Sequence, residues 1–264
     1  MRALLLLITV LFAAPSTLAA LKSQTVEYKA GDVVMQGYLV WDDAIPGPRP
    51  GVLVVHEWWG QNGYARHRAD MLADMGYTAL ALDMYGDGKV TEHPDEAGKF
   101  YQKVTANQDV LHARFNAALK LLKDSPEVID DQIAAIGYCF GGSVVLEMAR
   151  RGADLDVVAS FHGGLKTEHP AEPGAVGARV LVFNGAADPM APQADVDALH
   201  GELINAKASY LIVSYPGAQH SFTNPAADAV AKRTGMPLGY QANADRDSWA
   251  RLAVELSNAF VPEE

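Results

Sequence analysis

A succession of short apolar runs, separated by stretches of helical periodicity, restricts this chain more than any other feature. Gly51–Val55, Tyr77–Leu82, Ile133–Tyr138, Val157–Phe161, Arg179–Asn184 and Tyr210–Tyr215 are too short to be helices and are largely unbroken by polar residues. Strands buried on both faces have this character. Between them, Tyr64–Met75 places Ala65, Ala69, Leu72 and Ala73 on one side and stops at Gly76. Val110–Lys123, Gln193–Ile204 and Asp245–Phe260 carry similar apolar stripes, and a further helix is expected from about Gly142 to Arg151. Thr25–Tyr28 and Val33–Trp41 alternate around Gly31-Asp32 and read as an antiparallel hairpin. Asp83–His93 is a loop with helix after it. The alternation predicts an α/β fold, with a mostly parallel central sheet and helices on both faces. With 49% apolar residues the chain can fill such a core. No repeat or linker divides it, so residues 21–264 read as a single domain.

The first twenty residues differ in kind. Arg2, the apolar run Leu4–Ala14 and the small residues Ala19-Ala20 form a signal-peptide pattern. The run is too short for an ordinary spanning helix, which needs about 20 residues. The mature chain is therefore expected to be exported, to the periplasm if the source is Gram-negative, and free of the membrane after cleavage. A formal charge of −11 gives no reason to expect nucleic acid as a partner. A monomer is the expected state.

The one cysteine of the chain lies in GYCFGG, Gly137 to Gly142. In an exported protein a lone cysteine has nothing to cross-link within its chain. It is either a small buried hydrophobe or a nucleophile. Gly137-Tyr138-Cys139-Phe140-Gly141 fits the G-x-nucleophile-x-G turn between a buried strand and a helix, with cysteine in place of the commoner serine. Such a turn brings backbone segments close together, and the helix N-terminus favours a thiolate. Two partners follow in the order nucleophile, acid, histidine. Asp188 comes just after one strand and His220 just after the next. Taken singly, Asp188 reads equally as a turn residue and His220 as an ordinary loop histidine. His162, in SFHGG, also lies past a strand end and would line the site, although it precedes the acid. In VVHEWWG, Glu57 and its tryptophans are either an aromatic rim or part of the site, with backbone N–H groups completing an oxyanion hole with that of Phe140. No HExxH motif or cysteine cluster suggests a metal.

HEWWG, GYCFGG, NGAADP and GAQHSF, in this order, together with ALDMYG, resemble the dienelactone hydrolase family of the α/β-hydrolase superfamily. The resemblance runs from about Thr25 to Phe260. It implies an α/β-hydrolase fold and a triad of Cys139, Asp188 and His220. It implies that Glu57 helps to deprotonate the thiol when substrate binds, that the Trp58 and Phe140 N–H groups form the oxyanion hole, and that Tyr85 lines the pocket. The implied chemistry is attack on an ester or lactone, a thioester acyl-enzyme and its hydrolysis, without cofactor or metal.

One departure bears on the substrate. Where family members carry an arginine that binds a substrate carboxylate, this chain has Asn224. A second family arginine is matched only by Lys99 or Lys103. A neutral or bulkier ester or lactone, resting on Trp58 and Trp59, is expected instead. The alternative from another class is an exported binding protein that keeps the fold and pocket without catalysis. Thiol redox chemistry is a weaker reading, since there is no resolving cysteine.

Overall fold

The computed structural model describes residues 21–260, so the leader read in residues 1–20 lies outside the described residues. The strands are β1 (Leu21–Ala30), β2 (Val33–Asp42), β3 (Arg49–Val55), β4 (Thr78–Leu82), β5 (Val128–Tyr138), β6 (Val157–Phe161), β7 (Arg179–Gly185) and β8 (Tyr210–Tyr215). The helices are α1 (Gly63–Asp74), α2 (Pro94–Thr105), α3 (Gln108–Lys123), α4 (Phe140–Arg150), α5 (Gln193–Asn205), α6 (Ala227–Thr234) and α7 (Ala242–Phe260). All eight strands join one sheet in the order β1-β2-β4-β3-β5-β6-β7-β8. The β1–β2 hairpin is antiparallel to β4, and every pairing from β4 to β8 is parallel.

The alternation of side chains along β3 shows how the layers assemble. Val52 and Val54 face a core with Ala65 and Leu72 of α1 and Leu252 and Leu256 of α7. Leu53 and Val55 face the opposite core, with Phe115 of α3, Val144 of α4 and Leu199 of α5. The sheet is thus covered on both sides, as its unbroken apolar strands require. Each fully buried Leu or Phe contributes about 1.5–3 kcal/mol of transfer free energy.

The differences from the sequence reading lie where apolar signal is thin. β1 begins at Leu21 rather than Thr25 and pairs with β2 along its whole length, although its first five residues are exposed. β5 begins at Val128, before its apolar run, with a register shift against β3 at Pro50/Gly51. α4 begins at Phe140, directly after the cysteine, rather than near Gly142. α2 and α6 were not delimited by periodicity, because α2 buries only Ala97 and Val104, and α6 only Ala227.

The connection β3-α1-β4 runs to one side of β3, and the chain then returns to place β5 on the other side. This reversal leaves a crevice at the carboxyl ends of β3 and β5, where ligands bind in open α/β sheets. Glu57 follows β3 at that edge and Cys139 follows β5. Among the described residues no helix is long and apolar enough to cross a membrane.

Candidate active site

Cys139 sits between β5 and α4 with φ 53° and ψ −114°, a conformation that L-residues adopt only under constraint. The constraint is steric. A Cβ on Gly137 would lie 2.1 Å from the Gly141 carbonyl oxygen, and one on Gly141 would lie 2.2 Å from that of Val55. Only hydrogen fits at either position, so the strand and helix can approach closely enough to turn at the cysteine. The Gly141 N–H donates to the His56 carbonyl at 3.1 Å, which ties α4 to the end of β3.

Asp188 follows β7 and His220 follows β8, both buried. The His220 Nδ1–H donates to Asp188 Oδ2 at 2.8 Å, while Asp188 Oδ1 accepts the Met190 N–H at 2.8 Å. Nε2 of His220 is buried and makes no hydrogen bond among the described residues. Cys139 and His220 line the same cavity of about 310 Å³. Burial opposes charge on His220, but the Cys139 sulfur and Asp188 outweigh it and hold its pKa well above the ordinary imidazole value. The arrangement favours the charged form of the imidazole.

Glu57 is buried at the carboxyl end of β3. Its Oε1 accepts the Ser221 hydroxyl and its Oε2 the Asn224 amide, each at 2.7 Å. Burial raises its pKa above the ordinary carboxyl value, while both hydrogen bonds work in the opposite direction. The Trp58 N–H, in the turn after β3, has no hydrogen-bond acceptor among the described residues. Phe140 is the first residue of α4, so its N–H has no partner one turn back. His56 fixes this turn: its ring bonds the Glu57 carbonyl through Nδ1 at 2.5 Å and accepts the Met84 N–H at Nε2.

Trp58 and Trp59 line the cavity, but three residues expected there do not. Tyr85 stacks on Phe140 and donates its hydroxyl to the Trp58 carbonyl at 2.9 Å, so it supports the turn from behind. Asn224 is spent on Glu57. His162 is wholly buried beneath the elbow, with φ 41°. Its Nδ1 accepts the Cys139 N–H at 3.2 Å, and its Nε2 bonds Thr223 Oγ1 at 2.7 Å. Burial and the neighbouring His220 push its pKa well below the ordinary value, so it is a neutral acceptor. Lys99 and Lys103 line no part of this cavity, and its walls carry no lysine or arginine.

Sequence reasoning missed the polar frame behind the site. Thr223 Oγ1 lies 2.6 Å from the Tyr64 hydroxyl, and Arg68 bonds that hydroxyl, the Thr223 carbonyl and Asp245. Tyr64 and Arg68 are spaced i, i+4 on α1, a signal that the apolar stripe of that helix obscured. Ser221, with φ 57°, stood in the same HSFTN run as His220 and carried no signal of its own.

Comparison with known proteins sets this geometry in context. The model of the dienelactone hydrolase family matches residues 35–260. Among solved structures, a dienelactone hydrolase-like promiscuous phosphotriesterase from metagenomic libraries is 37% identical. The match has a TM-score of 0.87 and covers 92% of this chain and 100% of that one. "Putative carboxymethylenebutenolidase" of Synechocystis sp. is 28% identical over 249 residues, 88% of this chain and 95% of that protein. Protein usf of Aquifex pyrophilus is 32% identical over 148 residues, 53% of this chain and 61% of that protein.

Proposed function

This chain belongs to the dienelactone hydrolase family, and from that premise we propose that it hydrolyses neutral esters or lactones with Cys139 as nucleophile. The observation that carries the reading is His220. Its Nδ1 is held by Asp188, while its Nε2 is buried, unpartnered and in the same cavity as a cysteine on a strained turn. His220 takes the thiol proton and the sulfur attacks the carbonyl carbon. The oxygen that gains charge is received by the Trp58 and Phe140 N–H groups. The C–O bond breaks, and His220 protonates the departing alkoxide. Water, deprotonated by His220, then cleaves the thioester and restores the thiol. Asp188 orients the imidazole and balances its charge. Glu57, which feels the charge of His220 and is poised by burial, assists removal of the thiol proton when substrate displaces its present hydrogen bonds.

The part of the substrate held in the smaller cavity is neutral, because the walls there carry no lysine or arginine to receive a carboxylate and Asn224 is committed to Glu57. The related phosphotriesterase justifies including an aryl phosphotriester among trial substrates. We also propose export through the leader in residues 1–20, which N-terminal sequencing of the secreted protein tests. For the hydrolase reading, the test is turnover of an aryl acetate and of a panel of small neutral lactones by the wild type and by Cys139→Ala. Turnover lost with Cys139 supports the reading. Equal inactivity of two folded proteins favours a binding protein instead.

A further inference from the structure

The cavity of Cys139 has a neighbour. Tyr101, Phe140, Ser143, Gly164 and Met190 also border a second compartment of about 830 Å³, so the two adjoin across these shared walls. The compartments differ in chemistry. The smaller has no charged Asp, Glu, Lys or Arg in its lining. The larger is bordered by Glu147 and Arg150 of α4, Asp195 of α5, and Lys166 and Glu168 in the connection after β6.

These groups are only partly used by the fold. Glu147 commits Oε1 to Arg151 at 2.9 Å and to His112 at 3.3 Å, and its Oε2 takes part in neither bond. Arg150 commits Nε and Nη2 to Glu202 and Nη2 also to the Leu165 carbonyl, which leaves Nη1 unused. Asp195 approaches Lys166 through Oδ1 at 3.5 Å, with Oδ2 spare. Ser143 accepts the Gly164 N–H and keeps its own O–H to give. Donors and acceptors thus both border this compartment, with both signs of charge. A bound anion would face Glu147, Glu168 and Asp195, and a bound cation would face Arg150 and Lys166. A neutral group with several hydroxyls satisfies both kinds of partner, since each hydroxyl donates and accepts. Tyr101 stands at the junction, 41% exposed, and offers an aromatic face to the C–H side of a sugar ring.

We propose that the larger compartment is a subsite for an uncharged polyhydroxylated alcohol, a polyol or hexose, and that the substrate is its ester with a compact apolar acid. The inference rests on the hydrolase reading above. The acyl group stays on Cys139 in the smaller compartment. The C–O bond to the polyol breaks, the polyol oxygen takes its proton from His220, and water later releases the acid.

The test holds the acyl group constant. Benzoate esters of glucose (at O6), glycerol, cyclohexylmethanol, choline and 3-hydroxypropanoate are compared, with an aryl acetate as a control that needs only the smaller compartment. The expected kcat/KM for the glucose ester exceeds that for the cyclohexylmethyl ester by about tenfold or more, because unpaired polar groups reject the apolar alcohol. Both charged esters fall below the glucose ester, and the glycerol arm separates a small polyol from a hexose. Asp195→Ala and Lys166→Ala, each checked for folding by thermal melting, lower the glucose-to-cyclohexylmethyl ratio by about threefold or more. Aryl acetate turnover without a preference for the hydroxylated alcohols overturns the subsite alone, as does a preference that both variants leave intact. No turnover of any ester, the aryl acetate included, overturns the hydrolase reading and the subsite with it.

Discussion

The elbow at Cys139 and the loop from His220 to Asn224 border the same cavity, yet they are held in place by different forces. At the elbow the constraint is exclusion: carbonyl oxygens of Gly141 and Val55 occupy the space that side chains on Gly137 and Gly141 would need. At the loop it is attachment. His220 is bonded to Asp188, Ser221 and Asn224 to Glu57, and Thr223 to His162 and within reach of Tyr64. Both carry strained backbone, at Cys139 and at Ser221, each with positive φ. A sterically held turn tolerates no added atom and fails as a whole. A loop held by separate hydrogen bonds loses function in increments and can be repaired by a side chain that restores one bond.

The largest effect should come from the steric side. In Gly141→Ala the new methyl meets main-chain oxygen, which cannot rotate away as a side chain would. Loss of folding, or destabilisation of about 3 kcal/mol or more by chemical denaturation, is expected. A variant that melts like the wild type would show that the elbow has room and break the contrast.

His162 joins the two regions and comes next. His162→Phe removes one of the two acceptors of the Cys139 N–H, leaving the Phe161 carbonyl at 3.0 Å, and also removes the bond to Thr223; it should lower kcat by about tenfold with little change in KM. His162→Asn places an amide oxygen near the position of Nδ1 and tolerates the positive φ, whereas His162→Gln places its amide near Nε2. Rescue of kcat by Asn but not Gln identifies support of the elbow as the function. Rescue by Gln alone would assign His162 to the loop instead.

The smallest effects fall on Glu57 and have a definite sign. Its folded-state pKa is raised above 4.5, so the folded protein holds this proton more tightly than the unfolded chain. The penalty is absent below the unfolded pKa and complete above the folded one. Glu57→Gln, which can still bond both neighbours, should therefore melt higher than the wild type near about pH 8, with the gain gone near about pH 4. Asn224→Ala leaves Glu57 Oε2 without its donor and should cost about 1–3 kcal/mol at neutral pH. Equal melting temperatures at both pH values for Glu57→Gln would remove burial strain from the account.

The same contrast explains how much was legible in the sequence. Glycines around a cysteine after a buried strand are a local pattern, because the steric requirement lies within a few residues. The sheet was legible for a similar reason, since β3 to β7 each carry a buried apolar run. The roles of His162, Asn224 and Tyr85 depend on partners distant in the chain. His162 is 61 residues from Thr223, and Asn224 is 167 residues from Glu57. A residue type near a strand end shows that a polar group is close to the site, but not whether it faces the cavity or the frame behind it. The edge strand β1 and the exposed helices α2 and α6 were indistinct because they bury little.

The central claim is that Cys139 carries the acyl group. Rapid quenching of the protein with a slowly hydrolysed aryl ester, followed by intact-mass and peptide mass spectrometry, measures it directly. The account predicts one added acyl group on the peptide containing Cys139, discharged by hydroxylamine and absent from Cys139→Ala, which also loses turnover. An acyl group on another residue, or a Cys139→Ala protein that turns over the ester at the wild-type rate, would contradict it.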